Sequence, residues 1–357
     1  MRLCAPAALL VACTISAAAQ QPAREATLGF PIGIAQLADG TFLISERRNH
    51  RVMRLDADAG TLTPFAGTGE AGFSGDGGPA RQAQLQCPDA VDADSRGNVY
   101  IADRCNERIR RVDAATGVIT TVAGSGLRGP GPDGPALDVN LMGVFYLRVH
   151  DDNTILFTDT DAHRIRELDL RRGTITTLAG NGYRGFSGDG GPARDATLAR
   201  PHVVLRLRNG NLVIGDSFNR RIREVSARDG TIRTIAGVGD ALGERPAQHG
   251  ALALESPLLF FGEIHELDDG DLLWTEWGSS QIVRLDRTTG RLRVVAGSTA
   301  FGRHDPDGAL SDNPAIGAMV DFVIDEQGRY VVAVSGEGLV RRIDVARGTV
   351  ETLAGRP

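Results

Sequence analysis

Five polar side chains that could do chemistry recur at matching positions of this chain. They are three carboxylates, one imidazole and one phenol: Asp89, Glu263, Asp321, His202 and Tyr146. Three carboxylates and an imidazole could hold Ca²⁺ or another divalent cation through mixed oxygen and nitrogen ligation, or could supply a general base. The alternative is that they are only polar residues on a wet surface. The elements that position the five residues decide between these interpretations.

An internal repeat sets their spacing. A tripeptide of an apolar residue, alanine and glycine occurs six times, and successive glycines are 57, 56, 57, 60 and 58 residues apart. The six glycines are Gly67, Gly124, Gly180, Gly237, Gly297 and Gly355. A further glycine precedes each of them by seven residues. Spacing of this kind is typical of a repeat architecture.

Each copy of the repeat alternates apolar and polar residues as β-strands do. In the second copy, residues 90–93, 98–103, 108–113 and 118–123 read as four strands. Four antiparallel strands in each of six copies predict an all-β fold, a six-bladed β-propeller of four-stranded antiparallel blades. We expect one domain over residues 26–356, with blades at about 26–67, 85–124, 141–180, 198–237, 255–297 and 314–355.

In such a ring the innermost strand of each blade borders a central channel. The five polar residues align at the start of the inner strands, around the channel mouth. Because antiparallel strands alternate direction, the segments leading into the inner strands and the turns between the second and third strands share one face. We call it the loop-rich face. Cys87 and Cys105 both fall on it, and no metal-binding spacing accompanies them, so we predict a disulfide between them and no cysteine metal site.

The first 19 residues have the form of a secretory signal peptide. Arg2 precedes an apolar stretch at 5–15, and residues 17–19 offer an A-x-A cleavage site. The stretch is shorter than the roughly 20 residues of a transmembrane helix. We therefore predict an exported protein, periplasmic or secreted, without a transmembrane segment. A lipoprotein anchored through Cys13 is the alternative, because residues 10–13 match the lipid-attachment pattern.

Composition excludes several functions. All 39 basic residues are arginine, which excludes a Walker A loop and a lysine Schiff base. The net charge of −6 lacks the basic footprint of a nucleic-acid-binding protein. The sequence has no H-x-x-x-H or G-x-S-x-G motif. We predict a monomer with no nucleic-acid partner and no cofactor, apart from the divalent cation considered above.

Two recurring polar patterns are predicted to be structural. The second strand of five copies ends in an acid, and in four of them an arginine follows five residues later, which predicts a cross-strand pair. A ring of cation-binding carboxylates is the alternative. The segment Phe-Ser-Gly-Asp-Gly-Gly-Pro-Ala occurs at 73–80 and 186–193. Here we expect a turn and a short helix over 80–85, with Asp76 accepting hydrogen bonds near the start of that helix. Exposed aromatic residues could contact a partner there and in the fifth copy: Phe73, Tyr183, Phe186 and Trp277.

The repeat resembles the NHL repeat. The resemblance is carried by residues 97–103 with 106–110, and the segments at 72–80 and 185–193 look like those of bacterial exported NHL proteins and of the teneurin NHL propeller. It covers residues 26–356 and implies a six-bladed propeller. Members of this family are mostly interaction scaffolds, whereas related six-bladed folds include lactonases and lyases.

These observations favour a binding or scaffold module over an enzyme. Its ligand, a protein, a small molecule or a carbohydrate, is expected on the loop-rich face. The alternative is a metal-dependent enzyme of lactonase or lyase type at the channel mouth, built on the five polar residues. The related lyases use a channel metal with several histidines, and only His202 lies at such a place here.

Overall fold

The computed structural model describes residues 20–239, 246–277, 279–297, 306–309, 317–334 and 336–356. It contains six antiparallel sheets whose strands follow one another in sequence order, and the inner strands contact one another in a closed ring. The predicted six-bladed propeller of four-stranded blades is confirmed. The predicted signal peptide and Cys13 lie outside the described residues. Among the described residues, no helix has the length and apolar character needed to span a bilayer.

The strands of each blade run outwards from the channel in chain order. In blades 1 to 3 they are Pro31–Gln36, Phe42–Glu46, Arg51–Asp56 and Thr61–Ala66; Pro88–Ala93, Val99–Asp103, Arg108–Val112 and Ile119–Ala123; Val144–Asp151, Thr154–Asp159, Arg164–Asp169 and Thr174–Ala179. In blades 4 to 6 they are Val203–Arg206, Leu212–Asp216, Arg221–Val225 and Ile232–Ala236; Phe261–Glu266, Leu272–Glu276, Gln281–Asp286 and Arg291–Ala296; Met319–Ile324, Tyr330–Val334, Leu339–Asp344 and Thr349–Ala354.

The segment that leads into each blade pairs with the outer strand of that blade. In blades 1, 3 and 6 it forms a fifth strand: Gln21–Pro22, Gly134–Pro135 and Gly308–Ala309. In blades 2, 4 and 5 it makes a single bridge, through Pro79, Pro192 and Leu252 respectively. This pairing covers edges that would otherwise offer free backbone groups to another chain.

Short 3₁₀ helices complete the described structure. Three lie in the segments between blades or before blade 1 and three in the turns after the second strands: Ala23–Glu25, Ala80–Gln82 and Ala253–Glu255; Arg104–Asn106, Thr160–Ala162 and Ser217–Asn219. The helix predicted over 80–85 is thus a single turn. Its N-cap residue is Pro79, and no side chain among the described residues caps it. The prediction that Asp76 accepts hydrogen bonds at the start of this helix is therefore wrong.

Asp76 instead binds a buried arginine. Arg110 Nη2 donates to Asp76 at 2.7 Å, Thr121 Oγ1 donates to the same carboxylate at 2.6 Å, and Arg110 Nη1 lies 3.3 Å from Asp103. The same arrangement recurs in blades 3 and 4, with Arg166 between Asp133 and Asp159, and Arg223 between Asp189 and Asp216. The loop aspartates therefore fasten each connecting segment to its blade.

The acid at the end of the second strand is structural, as predicted, but its partner differs. Asp103 faces Arg108 in register, yet its ion pair is with Arg110, seven residues on. Only in blade 1 does the described structure place the predicted pair in direct contact, with Arg51 Nε 2.5 Å from Glu46. Arg110 lies two residues after Arg108 on the third strand, and its side chain points into the blade, where the carboxylate of Asp103 is buried.

A β-bulge opens most of the inner strands. Pro88 pairs with Asp103 and Val91 with Ile101, so that Asp89 and Ala90 together face one residue of the second strand. Register shifts occur at the same place in blades 1, 3, 5 and 6. A bulge inserts an extra residue and re-aims side chains, so two consecutive residues can line the channel. The neighbouring blade then approaches closely: a Cβ on Gly262 would lie 1.9 Å from the carbonyl oxygen of Val320.

Candidate functional site: the channel mouth

The five residues predicted at the channel mouth line one cavity. Its wall is formed by equivalent positions at the start of the inner strands of all six blades: Ile32, Asp89, Ala90, Phe145, Tyr146, His202, Gly262, Glu263, Val320 and Asp321. Its volume is only about 10 Å³. A single water needs about 10–15 Å³ by this measure. The side chains are brought together, but the space between them has room for one water at most.

Asp89 is neutralised by two arginines. Its buried carboxylate accepts hydrogen bonds from Arg47 through Nε and Nη2, both at 2.5 Å, and lies 3.4 Å from Arg104 Nη1. Such a bidentate contact is among the strongest that a carboxylate makes. Asp89 therefore holds the turns of blades 1 and 2 over the mouth.

His202 is a neutral imidazole held among aromatic rings. Its ring stacks on Phe145 with centroids 4.5 Å apart and meets the edge of Phe218 at 5.8 Å. Burial, assisted by the positive charges of Arg200 and Arg104, lowers the pKa of His202 to about 3. Its Nδ1 atom is buried and has no hydrogen-bond partner within the described parts of the chain.

Tyr146 and Glu263 bridge the channel from blade 3 to blade 5. The Tyr146 hydroxyl donates to Glu263 Oε1 at 2.7 Å, and Arg148 Nη1 donates to the same oxygen at 3.1 Å. Burial raises the pKa of Glu263 to about 7 and holds the pKa of the Tyr146 phenol well above its usual value. This contact separates the upper cavity from the rest of the channel.

Asp321 joins blade 6 to blade 1. Its carboxylate accepts from the backbone N–H of Ile34 at 2.9 Å and from that of Phe322 at 2.8 Å. Burial and the neighbouring charge of Glu263 raise the pKa of Asp321 well above its usual value. The Glu263–Asp321 pair therefore retains a proton into the neutral range.

Below this contact the channel widens into a second chamber that the sequence did not predict. It has a volume of about 250 Å³ and shares Tyr146, Glu263 and Asp321 with the upper cavity. Asp92, Arg148 and His265 are added to its wall. Asp92 and His265 bond to the backbone of the next blade, at Val149 N and Phe322 O. Most of the channel's polar groups thus hold neighbouring blades together.

The five residues do not fit a divalent cation in this arrangement. In the described residues, no group of three or more His, Cys, Asp or Glu side chains is placed to hold a metal ion. The oxygens of Asp89 face arginines, whose charge opposes that of a cation. The Oε1 atom of Glu263 is taken by Tyr146 and Arg148.

A surface of arginines and aromatic rings surrounds the mouth. Ring contacts run from Phe145 through His202 and Phe218 to Phe260 and Trp277, with centroids 4.5–6.4 Å apart. Guanidinium groups lie over these rings and over Phe30: Arg47, Arg48, Arg104, Arg184, Arg200 and Arg220. We call these residues the Arg–aromatic surface.

Aligning the six repeats does not identify most of this surface. That alignment singles out polar residues at positions that are apolar in the other repeats, whereas this surface consists of aromatic rings and arginines in turns and connecting segments. One signal was present. Phe30 and Phe260 occupy the same place, directly before the inner strands of blades 1 and 5. Trp277 was predicted as a contact residue, and here it is half-buried against Phe260.

The other predicted contact residues lie in the segments between blades. Tyr183 is 74% exposed, whereas Phe73 and Phe186 are 42% and 43% exposed. The guanidinium of Arg108 lies 3.8 Å from the centre of the Phe73 ring, and that of Arg221 lies 3.8 Å from that of Phe186. One face of each phenylalanine ring therefore packs against an arginine of its own blade.

Cys87 and Cys105 form a disulfide, with their Cα atoms 5.5 Å apart. Cys87 precedes the inner strand that carries Asp89, and Cys105 follows Arg104 in the turn. The bond fixes the turn that bears Arg104 to the strand that bears Asp89.

The fold and this channel define a six-bladed β-propeller. The chain has NHL repeat-containing homologues: NHL repeat-containing protein 2 of Bos taurus is 27% identical over 163 residues, 39% of this chain and 22% of that protein. SUPPRESSOR OF QUENCHING 1 of Arabidopsis thaliana is 25% identical over 304 residues, 80% of this chain and 27% of that protein. The chain thus spans about a quarter of the length of these relatives. No protein-family model matches it.

Solved structures share the fold at low sequence identity. An auxiliary nutrient binding protein from Bacteroides thetaiotaomicron has a TM-score of 0.61 and 12% identity, covering 89% of this chain and 69% of its own. A gluconolactonase from Xanthomonas campestris has a TM-score of 0.56 and 14% identity, covering 92% and 88%. At this identity the likeness shows the fold alone.

Proposed function

We propose that the chain is a binding or scaffold module whose contact surface is the loop-rich face around the channel mouth. The proposal is carried by the Arg–aromatic surface, which gathers arginines on one face of a chain whose net charge is −6. Arginine, tyrosine, tryptophan and phenylalanine are the residues most enriched where proteins bind partners.

The surface is rigidly supported, which favours binding without reorganisation. Arg47 and Arg104 are held by the buried carboxylate of Asp89, and the Arg104 turn is fixed by the disulfide. A preorganised site loses less side-chain entropy on binding. The solved auxiliary nutrient binding protein is one neighbour of this fold described as a binding protein, in agreement with this proposal.

A metal-dependent lactonase or lyase at the mouth is the alternative. The convergence of the five residues on one cavity supports this alternative. The small volume of that cavity, and the hydrogen bonds that Asp89 already accepts from Arg47, argue against it. Metal analysis of the purified protein, with melting measured before and after addition of Ca²⁺ or Zn²⁺, tests it. A bound ion, or a marked rise in melting temperature, would favour the enzyme.

We also propose that the protein works outside the cytoplasm. Its disulfide is typical of oxidising compartments. Mass analysis of the mature protein distinguishes the routes: a chain beginning after residue 19 indicates a cleaved signal peptide, and a lipid-modified chain beginning at Cys13 indicates a lipoprotein. A chain retained in the cytoplasm with residues 1–19 intact would contradict export.

The binding proposal is tested on an array of immobilised glycans and peptides. The wild-type protein is compared with the double variant R48Q/R184Q, which removes two exposed arginines of the Arg–aromatic surface, and with R172Q, which removes an exposed arginine from a turn between outer strands. We expect a ligand that the wild type and R172Q retain and the double variant loses. Equal retention by all three proteins would contradict the proposal.

A further inference from the structure

The Arg–aromatic surface has unpaired positive charge. Arg48 and Arg184 are exposed, lie over the rings of Phe30 and Phe218 at 5.1 and 5.6 Å, and make no ion pair within the described residues. Arginine stacked on an aromatic ring keeps its planar donors free to bind a carboxylate through two hydrogen bonds. The surface therefore complements an anionic ligand.

The positive residues lie on opposite sides of the ring. Arg48 is in the turn of blade 1, and Arg184 lies against the turn of blade 4. Between them, Arg47, Arg104 and Arg200 border the mouth, and within the described residues their ion pairs are with Asp89 and Asp161. A ligand that uses both sides must be extended and carry more than one negative charge.

The aromatic rings supply a second feature. Phe145, Phe218, Phe260 and Trp277 are each partly exposed in a continuous series around one side of the mouth. The parts of these rings that the guanidinium groups leave exposed offer apolar area beside the arginines.

Together, these features point to one class of ligand. We propose that the mouth binds an acidic oligosaccharide, a chain of uronic-acid sugars, whose carboxylates contact the arginines and whose apolar ring faces pack on the exposed parts of the aromatic rings. This deepens the proposed binding function and rests on it. An acidic peptide shares the carboxylates but has no regular apolar ring faces.

The test is isothermal titration calorimetry with a tetramer of galacturonate and, as control, a tetramer of galactose. We expect the acidic tetramer to bind the wild type and R172Q, and the neutral tetramer to bind at least tenfold more weakly. R48Q/R184Q should lose at least tenfold in affinity. An unchanged melting temperature shows that the double variant folds.

Other outcomes overturn the proposal in distinguishable ways. Equal binding of the two tetramers, or equal effects of R172Q and R48Q/R184Q, would contradict recognition of a uronate at this surface. Binding of a glutamate hexapeptide but not of galacturonate, abolished by R48Q/R184Q, would replace the saccharide by an acidic peptide and leave the binding function standing. No dependence of any glycan or peptide on Arg48 and Arg184 would contradict both.

Discussion

Tyr146 of blade 3 donates a hydrogen bond of 2.7 Å to Glu263 of blade 5, across the central channel. The contact joins blades that are not neighbours in the ring, and it divides the channel into a cavity of about 10 Å³ and a chamber of about 250 Å³. Five polar residues converge here as they would in an active site, and this contact explains why so little space is left between them.

Tyr146→Phe removes this bond and leaves the rest of the ring in place. Because the glutamate is buried and loses a donor, we expect a destabilisation of about 1–3 kcal/mol in denaturant unfolding. Tyr183→Phe is the matched control, since that tyrosine is largely exposed and its variant should unfold like the wild type. Equal stability of the two variants would show that the cross-channel bond contributes nothing.

Glu276 gives the protein a pH dependence of known sign. This buried carboxyl occupies the place where blades 2 to 4 have an aspartate paired to an arginine, and it makes no ion pair within the described residues. It accepts instead from Ser279 Oγ at 2.9 Å. Burial raises its pKa to about 7, above the usual value near 4.5.

Because the folded state binds this proton more tightly, the stability it contributes is present below about pH 4.5 and falls as the pH rises to about 7. Glu276→Gln removes that dependence. At pH 8 we expect the variant to be more stable than the wild type by on the order of 1–3 kcal/mol, from about 1.4 kcal/mol per pKa unit. Glu255→Gln, at an exposed site, should leave the pH profile unchanged. Parallel pH profiles of the wild type and Glu276→Gln would refute the assignment.

The disulfide should stabilise the mouth. It closes a segment of 18 residues, so the double variant C87S/C105S should lose about 3 kcal/mol of stability. Melting is measured with and without reductant: the wild type should respond to the reductant and the double variant should not. A wild type insensitive to reductant would show that the bond is not formed in solution.

Arg110 should be more important for stability than its exposed counterparts. Its side chain is fully buried between Asp76 and Asp103, so Arg110→Met leaves a buried carboxylate uncompensated. We expect a loss of about 3–5 kcal/mol in denaturant unfolding, against less than about 0.5 kcal/mol for R172Q. A loss below 1 kcal/mol would mean that the connecting segment is held by other contacts.

The fold was predictable because glycine spacing and strand alternation repeat six times. The convergence of Asp89, His202 and Glu263 was also predictable, since equivalent positions in a ring meet at its axis. What each side chain binds was not. The partner of Asp89 comes from the turn of another blade, and Asp103 pairs with Arg110 because that side chain, and not the one facing it in register, points into the blade. Contacts between blades depend on how the side chains pack in three dimensions. Aligning the six repeats with one another does not reveal that packing.

Hydrogen–deuterium exchange locates the binding face most directly. Exchange of the wild type is measured with a glycan or peptide that bound on the array, and with one of similar size that did not bind. We expect protection in the turns at 47–50, 104–107 and 217–220 on the loop-rich face, and no change in the turns at 37–40 and 207–210 on the opposite face. Protection confined to the opposite face would contradict binding at the Arg–aromatic surface.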